Sequence, residues 1–312
     1  MNKEPLGLLV MAYGTPQSLD EVLPYYTDIR HGHAPTNEQL SELIERYKAI
    51  GGVSPLTDIT NAQAKGLENI LNEDGGRKVK VYLGFKHIYP FIKDAVTQMH
   101  QDGIQEAVTL VLAPHYSVMS IGTYQKTAEE TAMNLGGPRL YQIDSWHLHR
   151  DFLGVLALRV QEALAKFDNA DDVMVVFSAH SLPARILDMG DPYEKQLHES
   201  GEEVARLLNL KHYTFAWQSA GRTKEPWLTP DILDKLVELK DAGYNKIASC
   251  SQGFVSDHLE VLYDIDIEAM KKAEELGIKL VRTRQMNADP KFLQALAKIV
   301  REREAKETTN RE

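Results

Sequence analysis

Short apolar runs, rich in β-branched residues, alternate along the chain with longer stretches whose apolar positions recur at helical spacing. Residues 6–12, 78–84, 107–113, 173–179, 213–217, 246–250 and 279–282 read as strands. Asn37 can cap a helix in which Leu40, Leu43, Ile44 and Tyr47 share a face, ended by Gly51 and Gly52. Pro90 opens another helix, with Phe91, Ile92, Ala95, Val96 and Met99 on one side, and residues 151–167 form a third. Strands alternating with helices imply an α/β protein built on parallel sheets.

A chain of 312 residues has the length of two ordinary domains. The polar, acidic segment 168–172 is the most linker-like, which places the boundary between residues 1–168 and 169–312. Both parts begin alike, with an apolar strand running into a polar loop: MAYGTP at 11–16 and SAHSLP at 178–183. This suggests one α/β unit used twice.

Charge and cysteine usage narrow the function classes. The net charge is −10 and both halves are acidic, so nucleic acid is not expected as a partner. The single cysteine, Cys250, can build neither an internal disulfide nor a thiolate-only metal or iron–sulfur site. The apolar run 6–12 is too short for a signal peptide, and 107–124 is interrupted by Pro114, His115 and hydroxyls, so neither membrane insertion nor export is expected and the cytoplasm is the expected location. No glycine-rich nucleotide fingerprint follows any strand, so no nucleotide cofactor is expected.

Parallel sheets bind ligands beyond the carboxyl ends of their strands. The residues that emerge there are Tyr13, His115, His180, Gln218 and the segment after Cys250. His180 ends an apolar strand and is either a ligand-facing or a packed imidazole; a dyad with Ser178 or Ser181 is a further option, although no nucleophile elbow surrounds it. If helical from Asp257, residues 257–268 place Asp257, Glu260, Asp264 and Glu268 along one stripe. Such a stripe is either a solvated face or a path for a hydrated divalent cation, for which mixed His and carboxylate ligands suit Fe²⁺. Arg30, His31, His33 and Arg46, followed by Gly51-Gly52-Val53-Ser54, offer an anion-binding rim against the acidic background. Tyr13, Tyr25, Tyr26, Tyr47, Tyr116 and Tyr124 are numerous enough to line a flat apolar slot or to pack a core, and Lys86 and His87 read as surface residues after a strand.

These segments together resemble the ferrochelatases, in particular the soluble coproporphyrin III type of Gram-positive bacteria. The resemblance runs through MAYGTP, RYKAIGGVSPL at 46–56, LGFKHIYPFI at 83–92, LAPHYS at 112–117, SAHSLP, DPYEKQLHES at 191–200, WQSAGRTKEPWL at 217–228 and GFVSDHLEVLYD at 253–264. It implies a chelatase fold of two Rossmann-like lobes, with parallel sheets, facing each other across a porphyrin cleft. The first lobe would grip the porphyrin, the second would handle metal, and the C-terminal helix would pack back on the first. The implied activity is insertion of ferrous iron, a substrate rather than a resident cofactor, into coproporphyrin III in haem biosynthesis. A protoporphyrin IX ferrochelatase and a non-catalytic haem carrier are the alternatives.

By the same resemblance, His180 and Glu260 match the pair that handles metal and pyrrole protons, and Asp264 and Glu268 the outer acidic positions for a hydrated cation. Tyr13 matches a tyrosine that ligates iron from the opposite face. Arg30, Arg46, Tyr47, Ser54 and Tyr124 match positions that contact the macrocycle or its propionates, and Lys86 and His87 match positions near the cleft. A monomer without an iron–sulfur cluster is implied, with product handed to the next haem-pathway enzyme. Two departures stand out. His31 occupies a position where a second Arg is common, and Ser-Cys-Ser-Gln precedes Gly253 in place of a more apolar strand end.

Overall fold

The computed structural model describes residues 4–221 and 223–309; Arg222, within WQSAGRTKEPWL, lies outside the described residues. Contacts divide the chain into two units: residues up to Trp146 together with those from Asn287 onward, and His147–Met286.

In the first unit, LGLLVMA is buried at every position because strand β1 (Leu6–Ala12) sits inside a parallel sheet covered on both faces. It is flanked by β2 (Val79–Phe85) and β3 (Glu106–Val111), with β4 (Arg139–Ile143) at the far edge, in the order β2-β1-β3-β4 and all parallel. The helices are α1 (Val22–Ile29), α2 (Asn37–Ala49), α3 (Leu56–Glu73), α4 (Ile92–Gln101) and α5 (Ile121–Leu135). Leu9, Met11, Val96, Met99 and Ala128 belong to the core between the sheet and the last two of these helices.

The second unit contains α6 (Arg150–Leu164), β5 (Met174–His180), α7 (Arg185–Asp188), α8 (Tyr193–Leu208), β6 (Tyr213–Gln218), α9 (Ile232–Asp241), β7 (Lys246–Cys250), α10 (Met270–Leu276) and β8 (Lys279–Arg282). Its sheet, also parallel, has the order β6-β5-β7-β8. That is the order of the first sheet with each strand advanced by four, so the repeat suggested by MAYGTP and SAHSLP extends to topology. In both sheets the first strand is central and the connection reverses direction beside it, which makes the carboxyl ends of β1 and β5 the switch points where such folds take ligands.

Several boundaries differ from expectation, for local reasons. The cap of α2 is Thr36 rather than Asn37, because the Thr36 hydroxyl accepts from Gln39 N while Gln39 Oε1 accepts from Thr36 N, a reciprocal capping box. Helix α4 starts at Ile92, two residues after Pro90; the Pro90 carbonyl is taken by Phe85 N at 2.8 Å, and Asp94 accepts from Phe91 N at 3.0 Å. Strand β4 escaped the sequence pattern because RLYQI is short, polar and at a sheet edge. The contact boundary lies at Trp146 and His147 rather than at 168/169, since α6 packs against α8 of its own unit.

The C-terminal helix α11 (Pro290–Thr309) packs against α3, β3 and β4 of the first unit. Arg301 fastens it. The guanidinium pairs with both oxygens of Asp74 at 2.8 and 2.9 Å and donates to the carbonyls of Leu71 at 2.6 Å and Arg77 at 2.9 Å. The hydrogen bonds from Arg301 hold the Asp74 carboxyl below its usual range, against a smaller opposing effect of burial. A depressed carboxyl contributes stability above its unfolded pKa and loses it as pH falls through the folded value. Arg301→Met is therefore expected to cost about 1.5–3 kcal/mol near neutral pH, the usual range for charge-assisted hydrogen bonds. The difference from the parent should shrink as acid protonates Asp74, which urea denaturation at pH 7 and pH 3 checks.

Candidate active site

In the second unit the site starts at the last residue of β5. The strand delivers His180 from a fully buried run, Val175 to Ala179, to a position with about a third of its side chain exposed. Its Nδ1 contacts the Ser181 carbonyl; because a carbonyl only accepts, Nδ1 is the donor of that contact, and Nε2 is the ring nitrogen left to face the site. Nε2 lies 3.7 Å from Glu260 Oε1. A Ser-His dyad is not formed. Ser178 Oγ donates to Gln218 Oε1 at 3.0 Å, and Ser181 Oγ to the Leu228 carbonyl at 2.9 Å.

Glu260 stands at the start of an unusual element. Helical structure begins at Leu259, and Val261–Ala269 is a π-helix that runs on into α10. Pairing i to i+5 puts more than four residues in each turn, so residues four apart stay close to one line. Glu260, Asp264 and Glu268 therefore follow one another along the element. Asp257 does not join them: it precedes the helix and pairs with Arg282 Nη1 at 3.1 Å, while Asp266 takes the other side of the same guanidinium. Asp264 is buried and accepts from Ser219 Oγ, and Glu268 is half-buried.

His258 is a member of this group that the sequence pattern did not single out. Its Nδ1 faces the Ser256 carbonyl at 2.9 Å and its Nε2 lies 3.4 Å from Glu260 Oε2. Burial opposes its protonation, but the Glu260 carboxylate, helped by the Ser256 carbonyl and the charge of Asp264, outweighs burial and moves its pKa upward. His180, Glu260 and His258 thus form a series, with one carboxylate oxygen toward each imidazole. Among the described residues no three His, Cys, Asp or Glu side chains converge as a metal cage. The arrangement offers a cation successive contacts of one or two ligands rather than a closed site.

Packing at the strand ends is tight. A Cβ on Gly253 would lie 2.4 Å from Ala179 Cβ and 2.9 Å from Ala179 Cα, so only glycine lets the segment after β7 pass the residue before His180. Cys250 is buried just upstream, and burial pushes its thiol up to about 12, only partly offset by Thr283, which makes it unreactive near neutral pH.

In the first unit, Tyr13 follows β1 as His180 ends β5, and 39% of it is exposed. The His87 ring meets it edge-on with centroids 4.5 Å apart, and the Lys86 ammonium lies 6.0 Å from the Tyr13 ring and 5.2 Å from that of Tyr124. His87 is not the surface residue its sequence context suggested. It is buried, and its Nδ1 is 2.6 Å from Asp28 Oδ2. Burial lowers the pKa of His87 more than Asp28 raises it, and burial likewise lowers that of Lys86. Tyr47 is buried and reaches Thr15 Oγ1 at 3.1 Å, which ties α2 to the loop after β1. Arg46 precedes it, half-buried.

Ser54 is buried and its Oγ accepts from Leu56 N at 3.3 Å, at the start of α3. Arg30 is turned onto its own loop, donating from Nε to the His33 carbonyl at 3.2 Å and lying 5.7 Å from the Tyr26 ring. Exposed His31 adopts a left-handed backbone, φ 55°. The structure thus brings Tyr13, Lys86, His87 and Tyr124 together, links Tyr47 to the same loop, and leaves Arg30 turned to neighbours of its own.

Two parallel sheets of identical order, each with its distinctive residues at the switch point, define the chelatase class of fold. Solved structures agree. The sirohydrochlorin chelatase SirB from Bacillus subtilis subspecies spizizenii, in complex with cobalt, matches with a TM-score of 0.60 over 96% of this chain and 95% of its own at 10% identity. DR2241 from Deinococcus radiodurans, a multi-domain protein with structural similarity to chelatases, matches at 0.56 over 95% of this chain and 55% of its own at 9% identity.

Sequence comparison is more specific. The ferrochelatase family profile matches residues 5–304. The coproporphyrin III ferrochelatase of Halalkalibacterium halodurans is 48% identical over 97% of this chain and 98% of its own. That of Geobacillus thermodenitrificans is 49% identical over 98% of each, and coproporphyrin III ferrochelatase 2 of Bacillus anthracis is 45% identical over 100% and 98%. The chain belongs to the ferrochelatase family.

Proposed function

We propose that this ferrochelatase inserts Fe²⁺ into coproporphyrin III, giving iron coproporphyrin III in haem biosynthesis. The observation that carries the reading is the His180–Glu260 pair at the β5 switch point, with Nε2 of the imidazole 3.7 Å from a carboxylate oxygen. The names of relatives 45–49% identical over nearly the whole chain support the choice of porphyrin.

Metal insertion is slow in water because Fe²⁺ must shed hydration and a planar macrocycle hides its nitrogen lone pairs. Binding energy from the substrate's periphery can be used to bend the ring and expose them. In this reading Arg30, Arg46, Tyr47, Ser54 and Tyr124 supply that peripheral binding, with the arginines on propionate carboxylates. Tyr13 ligates iron in the metallated product. Asp264 and Glu268 hold the hydrated cation on the way in, and His180 and Glu260 take metal and pyrrole protons, with His258 next in line behind Glu260.

The enzyme acts in the cytoplasm as a monomer, uses neither nucleotide nor iron–sulfur cluster, and passes its product to the next haem-pathway enzyme. Among the described residues no helix is long and apolar enough to cross a membrane. The reading predicts that kcat/KM for iron insertion is higher with coproporphyrin III than with protoporphyrin IX, because two further carboxylate arms are available to the basic and hydroxyl groups. Anaerobic absorbance kinetics with both porphyrins check it; equal or reversed preference would assign the chain to protoporphyrin, and tight haem binding without turnover would make it a carrier.

A further inference from the structure

We infer that Gln218, which has no role in the reaction proposed above, is a positioning residue that fixes the separation of His180 and Glu260; the inference rests on that pair being the reacting one. Gln218 ends β6 in direct register with His180 and is wholly buried. Its main-chain carbonyl accepts from Ser181 N at 2.7 Å, and Ser181 is the residue whose own carbonyl orients the His180 imidazole. Its side-chain Oε1 accepts from Ser178 Oγ at 3.0 Å, and Ser178 in turn lies 3.4 Å from Ser251 Oγ just beyond β7. With the oxygen so engaged, the amide must turn its NH₂ the other way. Nε2 reaches the Glu260 carbonyl at 3.5 Å, immediately before the π-helix.

One buried residue therefore holds the main chain beside His180 with its backbone and the main chain of Glu260 with its side chain. A buried amide is costly unless every group is paired, and here the pairing runs to the two segments that carry the reactive side chains. The repeat strengthens the case. Ala12 is in register with Phe85 in the first sheet and Ala179 with Trp217 in the second. Gln218 stands opposite His180 within the second ladder, and in the first unit Lys86, the residue after Phe85, has its ammonium 6.0 Å from the ring of Tyr13, the residue after Ala12.

The test is Gln218→Met, which keeps the length and volume and removes both side-chain hydrogen bonds, with Gln218→Glu keeping the acceptor for Ser178 while losing the donor to Glu260. Both are expected to lower kcat for iron insertion about ten- to a hundredfold, the scale of a misplacement near 1 Å, with KM for the porphyrin unchanged. In the full-length protein without substrate, the ¹⁵N signals of the His180 ring should also shift in both variants. Parent-like kcat in a folded variant, or a fall in kcat with unmoved His180 signals, would overturn the role of Gln218. The NMR readout does not depend on turnover, so a parent protein that inserts no iron would defeat the proposed activity while the position of Gln218 is still judged by the His180 signals.

Discussion

His180→Ala is expected to reduce iron insertion by about 10²–10⁴-fold, the range associated with losing a positioned acid–base group, while the porphyrin still binds. The direction follows from where the group sits. Its Nδ1 is committed to the Ser181 carbonyl, so Nε2 is the available atom, and it faces Glu260. In the proposed reaction, removing the ring deletes both a ligand for the incoming cation and a proton acceptor, and the Glu260 carboxylate alone cannot replace either geometry. The fold should survive, because about a third of the side chain is exposed and the strand's core contacts come from Val175 to Ala179. Porphyrin fluorescence titration and iron-insertion kinetics on the same preparation separate the two effects. A change confined to KM would mean that His180 only binds the ring.

Glu260→Gln should have the second-largest effect, a fall of about 10²–10³-fold in kcat on the same scale. The substitution keeps the shape and removes the charge that serves two imidazoles, His180 at 3.7 Å and His258 at 3.4 Å. It also has a sign that can be worked out. The pKa of His258 lies above its ordinary value because Glu260, assisted by Ser256 and Asp264, overcomes burial. A raised imidazole contributes stability below its unfolded pKa and loses it as pH rises through the folded one. Without the carboxylate burial is the stronger influence, so the titration of His258 followed by NMR should move to lower pH in the variant. Unchanged turnover together with an unchanged His258 titration would remove Glu260 from the account.

The strands that position these groups were legible because most are buried on both faces, and a continuous apolar run is hard to mistake in an α/β pattern. The exception, β4, has the polar sequence of an edge. The four-residue spacing of Glu260, Asp264 and Glu268 was legible as well, but not the π winding of Val261–Ala269, because a spacing of four fits an α-helical face too. Asp257 shows the cost of extending a helical pattern backward: it has the right spacing, yet Arg282, distant in sequence, takes it.

His258 and Gln218 mark a different limit. A histidine two residues from a glutamate and a glutamine at a strand end carry weak signals by themselves, and acquire meaning only when the register sets β6 against β5 and the helix start brings Glu260 back to both. His87 reversed its surface reading for the same reason, since Asp28 of α1 reaches it across 59 residues of sequence.

The central claim, that a metal is exchanged for pyrrole protons, is tested most directly by anaerobic stopped flow of the purified protein with coproporphyrin III and Fe²⁺ in weakly buffered solution, following porphyrin absorbance and proton release together. The account predicts conversion to the metalloporphyrin spectrum over many turnovers, with two protons released for each iron inserted, and loss of both signals in His180→Ala. Binding of coproporphyrin III without metallation, or a stoichiometric spectral change that never turns over, would contradict it.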